Sequence, residues 1–248
     1  MSKTVLFNAR VFAGAADLTG ASNKVELSSE IAEKDATTFQ PEGSGGWRVL
    51  LGGLASTTIN ASGLWEAGDP GMVDDALWEA LNGRAPLPWT VCPVSASVGA
   101  LAYFSSGLTT SYKMGDAVGE IAPWESEASG SGLLLRGTVM HAPGAARTAN
   151  GSGDSAELGA LLLGQRLFAS LHVLSVSGDT PEIEVRIESS ADDTWASPTT
   201  RATFGTMSAP GADLVSVTGP VTDTWWRIAW DITGDDPSFL FLSAVGIA

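Results

Sequence analysis

The sequence predicts a mostly-β protein, all-β but for one α-helix laid on a sheet. Three observations carry that expectation. Apolar and polar residues alternate with period two in segments such as Lys24 to Ile31 and Glu182 to Ser189. Only one stretch, Asp69 to Gly83, sets its apolar residues at helical spacing. The 29 Gly and 12 Pro among 248 residues supply many turns.

The helix is predicted over residues 70–82. Asp69 is placed to cap the first free N–H groups, and Pro70 stands where its missing N–H is harmless. Asp74 and Asp75 fall in the early turns, where the helix dipole favours negative charge. Val73, Ala76, Leu77, Ala80 and Leu81 make one apolar stripe, and Gly83 supplies a left-handed stop.

Ahead of the helix, residues 4–12 read as a strand, with a turn from Gly14 to Gly20. In Lys24 to Ile31, Val25, Leu27 and Ile31 face one way and Glu26, Ser28 and Glu30 the other, the pattern of a half-buried antiparallel strand. Gln40 to Gly46 is expected to be an exposed loop. Trp47 to Asn60 reads as two strands broken at Gly52-Gly53. After the helix, Trp89 to Pro93, Ala100 to Ser105, Leu108 to Met114, Gly119 to Glu127 and Leu133 to Met140 read as successive strands. Leu133, Leu134 and Leu135 put apolar groups on both faces, which calls for cover on both sides: the core on one, and on the other, as one option, a neighbouring subunit.

Pro143 to Asp154 lacks periodicity and is rich in small residues, so it reads as a linker or long loop between residues 1–142 and 155–248. Beyond it the strands recur at intervals of about ten residues, the rhythm of a β-sandwich of Ig-like or jelly-roll type. They are Arg166 to Ser177, Glu182 to Ser189, Thr200 to Met207, Leu214 to Val217, Thr224 to Ile232 and Phe239 to Val245. Ile183, Val185 and Ile187 alternate with Glu182, Glu184, Arg186 and Glu188, so that face is expected to meet water. In Trp225 to Ile232, parity puts Trp226, Ile228, Trp230 and Ile232 inside and leaves Trp225 and Arg227 pointing out.

The net charge is −15, and it is spread: 8 bases stand against 15 acids in residues 1–142, and 5 against 13 in the rest. Such a surface repels phosphates, which excludes DNA binding by basic contacts. Cys92 is the only cysteine, so no intrachain disulfide forms, which suits a reducing cytoplasm. The first ten residues hold too short an apolar run for a signal peptide. No segment approaches the roughly 20 apolar residues that span a bilayer.

Catalytic and metal-binding signals are weak. His141 and His172 are the only histidines, and no Gly-x-Ser-x-Gly elbow accompanies them. His172 lies inside a strand as a structural histidine; His141, beside Pro143, reads as a loop residue. One Cys and two separated His do not make a zinc site, and Asp192-Asp193 and Asp235-Asp236 read as acidic turns ahead of calcium ligands. Cys92 between Val91 and Pro93 reads as a small buried residue. The expectation is therefore no enzyme, no cofactor and no metal. One surface feature remains, Trp225 beside Arg227. It is open to three readings: covered by a loop of its own domain, an anchor in a protein interface, or a platform on which a sugar stacks.

The first half resembles a known family. Asp17-Leu-Thr-Gly-Ala-Ser-Asn-Lys-Val-Glu-Leu, Lys34-Asp-Ala-Thr-Thr-Phe, Trp47-Arg-Val-Leu-Leu-Gly-Gly-Leu and Gly63-Leu-Trp-Glu before the helix are similar to the tail tube proteins (major tail proteins) of long-tailed bacteriophages. Pro86-Leu-Pro-Trp-Thr-Val and Gly99-Ala-Leu-Ala-Tyr-Phe extend the likeness, which covers roughly residues 5–142. The second half looks like the β-sandwich modules such proteins carry on the tube exterior. The resemblance implies a tail-tube-like β-sandwich or barrel followed by a second sandwich. It also implies hexameric rings of this chain stacked into a tube within a virion, in contact with other tail proteins. Double-stranded DNA passes through such a tube without specific binding, and no membrane takes part. Other expectations stay open beside it: a capsid decoration or baseplate protein, or a carbohydrate-binding module centred on Trp225.

Overall fold

The computed structural model describes residues 6–38 and 47–248. The loop expected at Gln40 to Gly46 and the start of the strand expected at 4–12 lie outside the described residues. The chain opens with β1 (Arg10–Ala13), β2 (Ala16–Asp17), β3 (Ser22–Asp35) and β4 (Leu50–Leu64), followed by the helix α1 (Val73–Gly83). Then come β5 (Leu87–Cys92), β6 (Leu101–Met114), β7 (Pro123–Gly130) and β8 (Leu135–His141). The remainder holds β9 (Gly151–Ser152), β10 (Ala156–Glu157), β11 (Arg166–Ser190), β12 (Thr199–Thr203), β13 (Gly211–Thr218) and β14 (Trp225–Ile247). The all-β expectation with one helix holds.

The strands run antiparallel in one bonded sheet whose main path is β12-β11-β14-β8-β6-β5-β1-β2. A branch leaves β6 through β7 to β4 and β3. Several strands expected separately are single long ones. β11 and β14 each pass through a bend where the ladder slips between Ser177 and Glu182, with Gly178 and Gly234 at φ +118 and +120. A Cβ on either glycine would sit 2.9 Å or less from the opposing backbone, so the two strands cross there more closely than side chains allow. The glycine that reads as a break in sequence is here what lets the strand continue. Likewise β6 runs unbroken through a bulge between Thr109 and Ser111, and Gly52-Gly53 lie within β4.

The helix starts later than its capping residues imply. Gly71 takes φ +100, outside helical space, so α1 begins at Val73 behind Met72, and no side chain caps it. Asp74 N–H is satisfied instead by the Glu66 carbonyl at 3.0 Å. At the other end the left-handed residue is Arg84 at φ 53, not Gly83. Val73, Leu77 and Ala80 are buried, while Leu81 is half-buried.

Three apolar cores follow from strand parity. Odd residues of β1 and β5 (Val11, Ala13, Trp89, Val91) join Ile59, Ala61, Trp124 and Ala128 beneath α1. Their even neighbours Phe12 and Cys92 face the other way and pack with Phe104, Leu135, Val139, Leu242 and Ala244, against Phe168 and Leu214. The third core lies around Val185, Ile187, Trp226, Ile228, Trp230 and Phe239, joined by Met140 of β8. Leu133 and Leu134 precede β8 instead of standing in it, and Leu133 is 56% exposed. Only Leu135 of that trio enters a core of this chain. The segment 143–154 runs against β14: Trp230 Nε1–H donates to the Ala149 carbonyl at 3.0 Å, and Ile232 N–H to the Asn150 side chain at 2.7 Å.

β8 joins the halves, bonded to β6 on one flank and β14 on the other. A Cβ on Gly137 would lie 2.0 Å from the Val245 carbonyl oxygen. Gly137→Ala is therefore expected to destabilise the protein by about 2–3 kcal/mol or to block folding. Gly20→Ala, with nothing within 4 Å of its Cβ, is expected to stay within about 0.5 kcal/mol of wild type in urea denaturation.

Candidate assembly surface

The branch β3-β4-β7, continued by residues 108–114 of β6, is a four-stranded strip. Its inner face carries Ile59, Ala61, Trp124 and Ala128 into the core under α1. Its outer face is set by the opposite parity. Register places Glu26 beside Asn60 and Asn60 beside Glu127; Lys24 stands beside Ser62 and Ser62 beside Glu125. Ser111 and Lys113 of β6 complete that face next to Glu127 and Glu125. The centre of the outer surface is thus polar, with carboxylates in excess.

Both long margins of the strip are open among the described residues. β3 bonds only to β4, and residues 108–114 of β6 bond only to β7. An edge strand as long as β3 exposes a row of N–H and C=O groups that pairs readily with another chain.

The two ends of the strip are apolar. The β4–β7 ladder stops at Thr58 and Ser129, and past that point β3 and β4 run on as a two-stranded arm. Its Ile31, Leu51 and Leu54 are 64%, 58% and 87% exposed. Ile31, expected to be half-buried with Val25 and Leu27, is exposed because no third strand or helix reaches it. At the far end Leu64, Met114, Val118, Ile121 and Trp78 are also exposed. There Trp65 Nε1–H and Tyr112 O–H both donate to the Asp74 carboxylate, at 3.0 and 2.7 Å, fixing α1 to the strip.

The histidines serve structure. His172 is fully buried; its Nδ1–H donates to the Gly14 carbonyl and its Nε2 accepts from the Thr90 hydroxyl, both at 2.7 Å. His141, expected in a loop, ends β8 and is buried, stacked on Phe241 with centroids 3.8 Å apart. Its Nδ1–H donates to the Phe241 carbonyl and its Nε2 accepts from Arg147 Nε–H. Burial pushes both imidazoles down to a pKa of about 4. Cys92 is buried as expected, and burial pushes its thiol up to about 12.

Trp225 and Arg227 lie on the face that parity gives them, both half-buried. Arg227 donates to Glu188 at 2.8 Å, and its guanidinium rests 4.1 Å over the ring of Trp195. Glu188, expected on a solvated face with Glu182 and Glu184, is instead 5% exposed. Burial alone would raise its pKa, but the hydrogen bonds from Arg186 and Arg227 outweigh that and hold the carboxyl below its usual range. Sequence alternation could not distinguish it from its neighbours, because Arg227, which pairs with it, comes from a strand 39 positions away. Asp192 accepts from Thr194 within that turn. Asp235 and Asp236 lie in the bend of β14, not at a chain reversal. Among the described residues no three His, Cys, Asp or Glu side chains gather as a metal site, and no helix is long and apolar enough to cross a membrane.

The histidines set a pH response. Each is neutral when folded until about pH 4 but takes up a proton near pH 6.5 when unfolded, so acid favours the unfolded chain. Stability is expected to be flat above pH 6.5 and to fall between 6.5 and 4, by up to about 1.4 kcal/mol per pH unit per histidine. Urea denaturation at stepped pH measures it, and His172→Gln should roughly halve the slope between pH 6.5 and 4.5.

No protein-family model and no curated protein matches the chain. Solved structures are similar to it in shape. A chain in the tail of an empty gene transfer agent particle, refined with C6 symmetry, is 19% identical at TM-score 0.40, over 54% of this chain and 97% of its own. The SPP1 tail tube is 14% identical at TM-score 0.40, over 53% of this chain and 77% of its own. The SPP1 Dit protein, described as a hub of the adsorption apparatus in phages infecting Gram-positive bacteria, is 13% identical at TM-score 0.30, over 97% and 99%.

Proposed function

We propose that the chain is a structural subunit of a phage tail tube, assembling with copies of itself into stacked hexameric rings around a channel for DNA. The observation that carries this reading is the strip β3-β4-β7-β6, open along both margins, with one face buried and the other acidic and polar. Pairing β3 of one copy with the free margin of β6 in the next leaves no edge exposed once the ring closes. The outer face then lines the lumen, with Glu26, Glu125 and Glu127 outnumbering Lys24 and Lys113. Carboxylates there repel phosphates across roughly one Debye length, about 8 Å at physiological salt, so DNA slides without sticking. Residues 1–142 make the tube module, 143–154 connect, and 155–248 form a second sandwich on the outside. The subunit works without catalysis or cofactor, beside other tail proteins in the virion, after assembly in the host cytoplasm.

Electron microscopy of the concentrated full-length protein is expected to show sixfold rings or tubes, and compact monomers at all concentrations would sink the proposal. The Glu125→Lys, Glu127→Lys double variant is expected to form the same assemblies but to retain duplex DNA in a low-salt pull-down where wild type retains none.

A further inference from the structure

On the helix side of the strip, away from its polar face, a cleft of about 620 Å³ opens between α1 and the last residues of β6. Trp65, Trp78, Tyr112 and Met114 wall it, and Asp74 stands among them. Parity in β6 brings Tyr112 and Met114 to this side, beside the buried Ser126 and Trp124. Lys113 also borders the cleft, but register sets its side chain beside Glu125 on the opposite, polar face. We infer that this cleft takes the guanidinium of an arginine side chain presented by a partner protein. The cleft belongs to the folded chain itself, so the inference stands apart from the ring reading.

Three features favour that occupant. The Asp74 carboxylate is held in place through one oxygen: Trp65 Nε1–H and Tyr112 O–H both donate to Oδ1, and Oδ2 has no hydrogen-bond partner among the described residues. Burial, then Asp74 and the more distant Asp75, keep the Tyr112 phenol protonated, so it remains a donor to Oδ1. The walls are aromatic, and a ring face attracts a cation. Among the described residues the rings of Trp65, Trp78 and Tyr112 hold no cation, and Asp74 has no ion-pair partner. Finally, Trp78 is 58% exposed and Met114 50%, so the cleft is open to an incoming side chain. A guanidinium answers all three, because its flat face stacks on indole while its N–H groups reach a carboxylate. A lysine ammonium uses the carboxylate but gains less from flat walls. A neutral sugar would stack on the rings, but the N–H of Trp65 and the O–H of Tyr112 are already committed to Asp74.

The peptide acetyl-Gly-Arg-Gly-amide tests the site, titrated into the full-length protein while the indole N–H signals are followed by NMR. The titration is run at about 0.15 M salt, where loose attraction to a chain of charge −15 is screened beyond about 8 Å. The signals of Trp65 and Trp78 are expected to shift saturably, and the same peptide with uncharged citrulline in place of arginine is expected to shift neither. Trp78→Ala, read on the Trp65 signal, is expected to weaken binding about tenfold, and Asp74→Asn at least as much. Trp78 is exposed, so its variant keeps the fold and decides the matter if Asp74→Asn loosens α1. No saturable shift, an equal shift with the citrulline peptide or with maltose, or an affinity unchanged by Trp78→Ala overturns the site. None of these results bears on ring formation, which electron microscopy of the wild type decides separately.

Discussion

One seven-residue strand ties the fold together, and it can do so only because backbone meets backbone across it without side chains. β8 bonds to β6 on one flank and β14 on the other, and at Gly137 and Gly246 the two chains approach within the space a Cβ would fill. That approach aligns β11 and β14 over the second face of the first sheet. Phe12, Phe104, Leu135 and Leu242 are then sealed from water, each worth about 1.5–3 kcal/mol of apolar burial. His172 adds specificity to the same seam. It is a neutral imidazole giving one hydrogen bond to Gly14 and taking one from Thr90, so no buried polar atom of the ring goes unpaired.

The first sheet therefore has no free face under its helix or under β11 and β14, and its remaining freedom lies in the branch through β7, β4 and β3. There one face is polar, both margins are open and both ends are apolar. Soluble proteins commonly blunt such margins with short strands, bulges or covering loops. Here the margin formed by β3 is 14 residues long. In the proposed ring, neighbours complete such a surface, and the acidic face is the side left uncovered.

Much of this was legible in the sequence. Alternation identified the strands around Val25, Val185 and Trp226 with their correct faces, and helical spacing located α1 to within a few residues. What escaped depends on tertiary context. Gly52, Gly178 and Gly234 look like breaks, because sequence does not show that a glycine lets strands cross or bulge where a side chain would clash. Asp69 and Pro70 look like the start of a helix, but the left-handed Gly71 delays it. His141 looks like a loop residue because Phe241, the partner that stacks on it, lies a hundred positions away. Ile31 and Glu188 obey the alternation rule and still end on the wrong side of it. The sheet runs out beneath one, and Arg186 and Arg227 close over the other. Of the candidate surface, its polar parity could be read from Glu26, Ser28 and Glu30. Its open margins could not, since which strand lies beside which is a property of the fold.

The bent ribbon of β11 and β14 has a mechanical consequence. The two strands are paired almost from end to end, through two of the three cores. Tension drawn along that axis, between the ends of the ribbon, loads its rungs in shear and together, so none can be peeled away before the rest. In the proposed tube, such a girder resists deformation along its length better than any single strong bond.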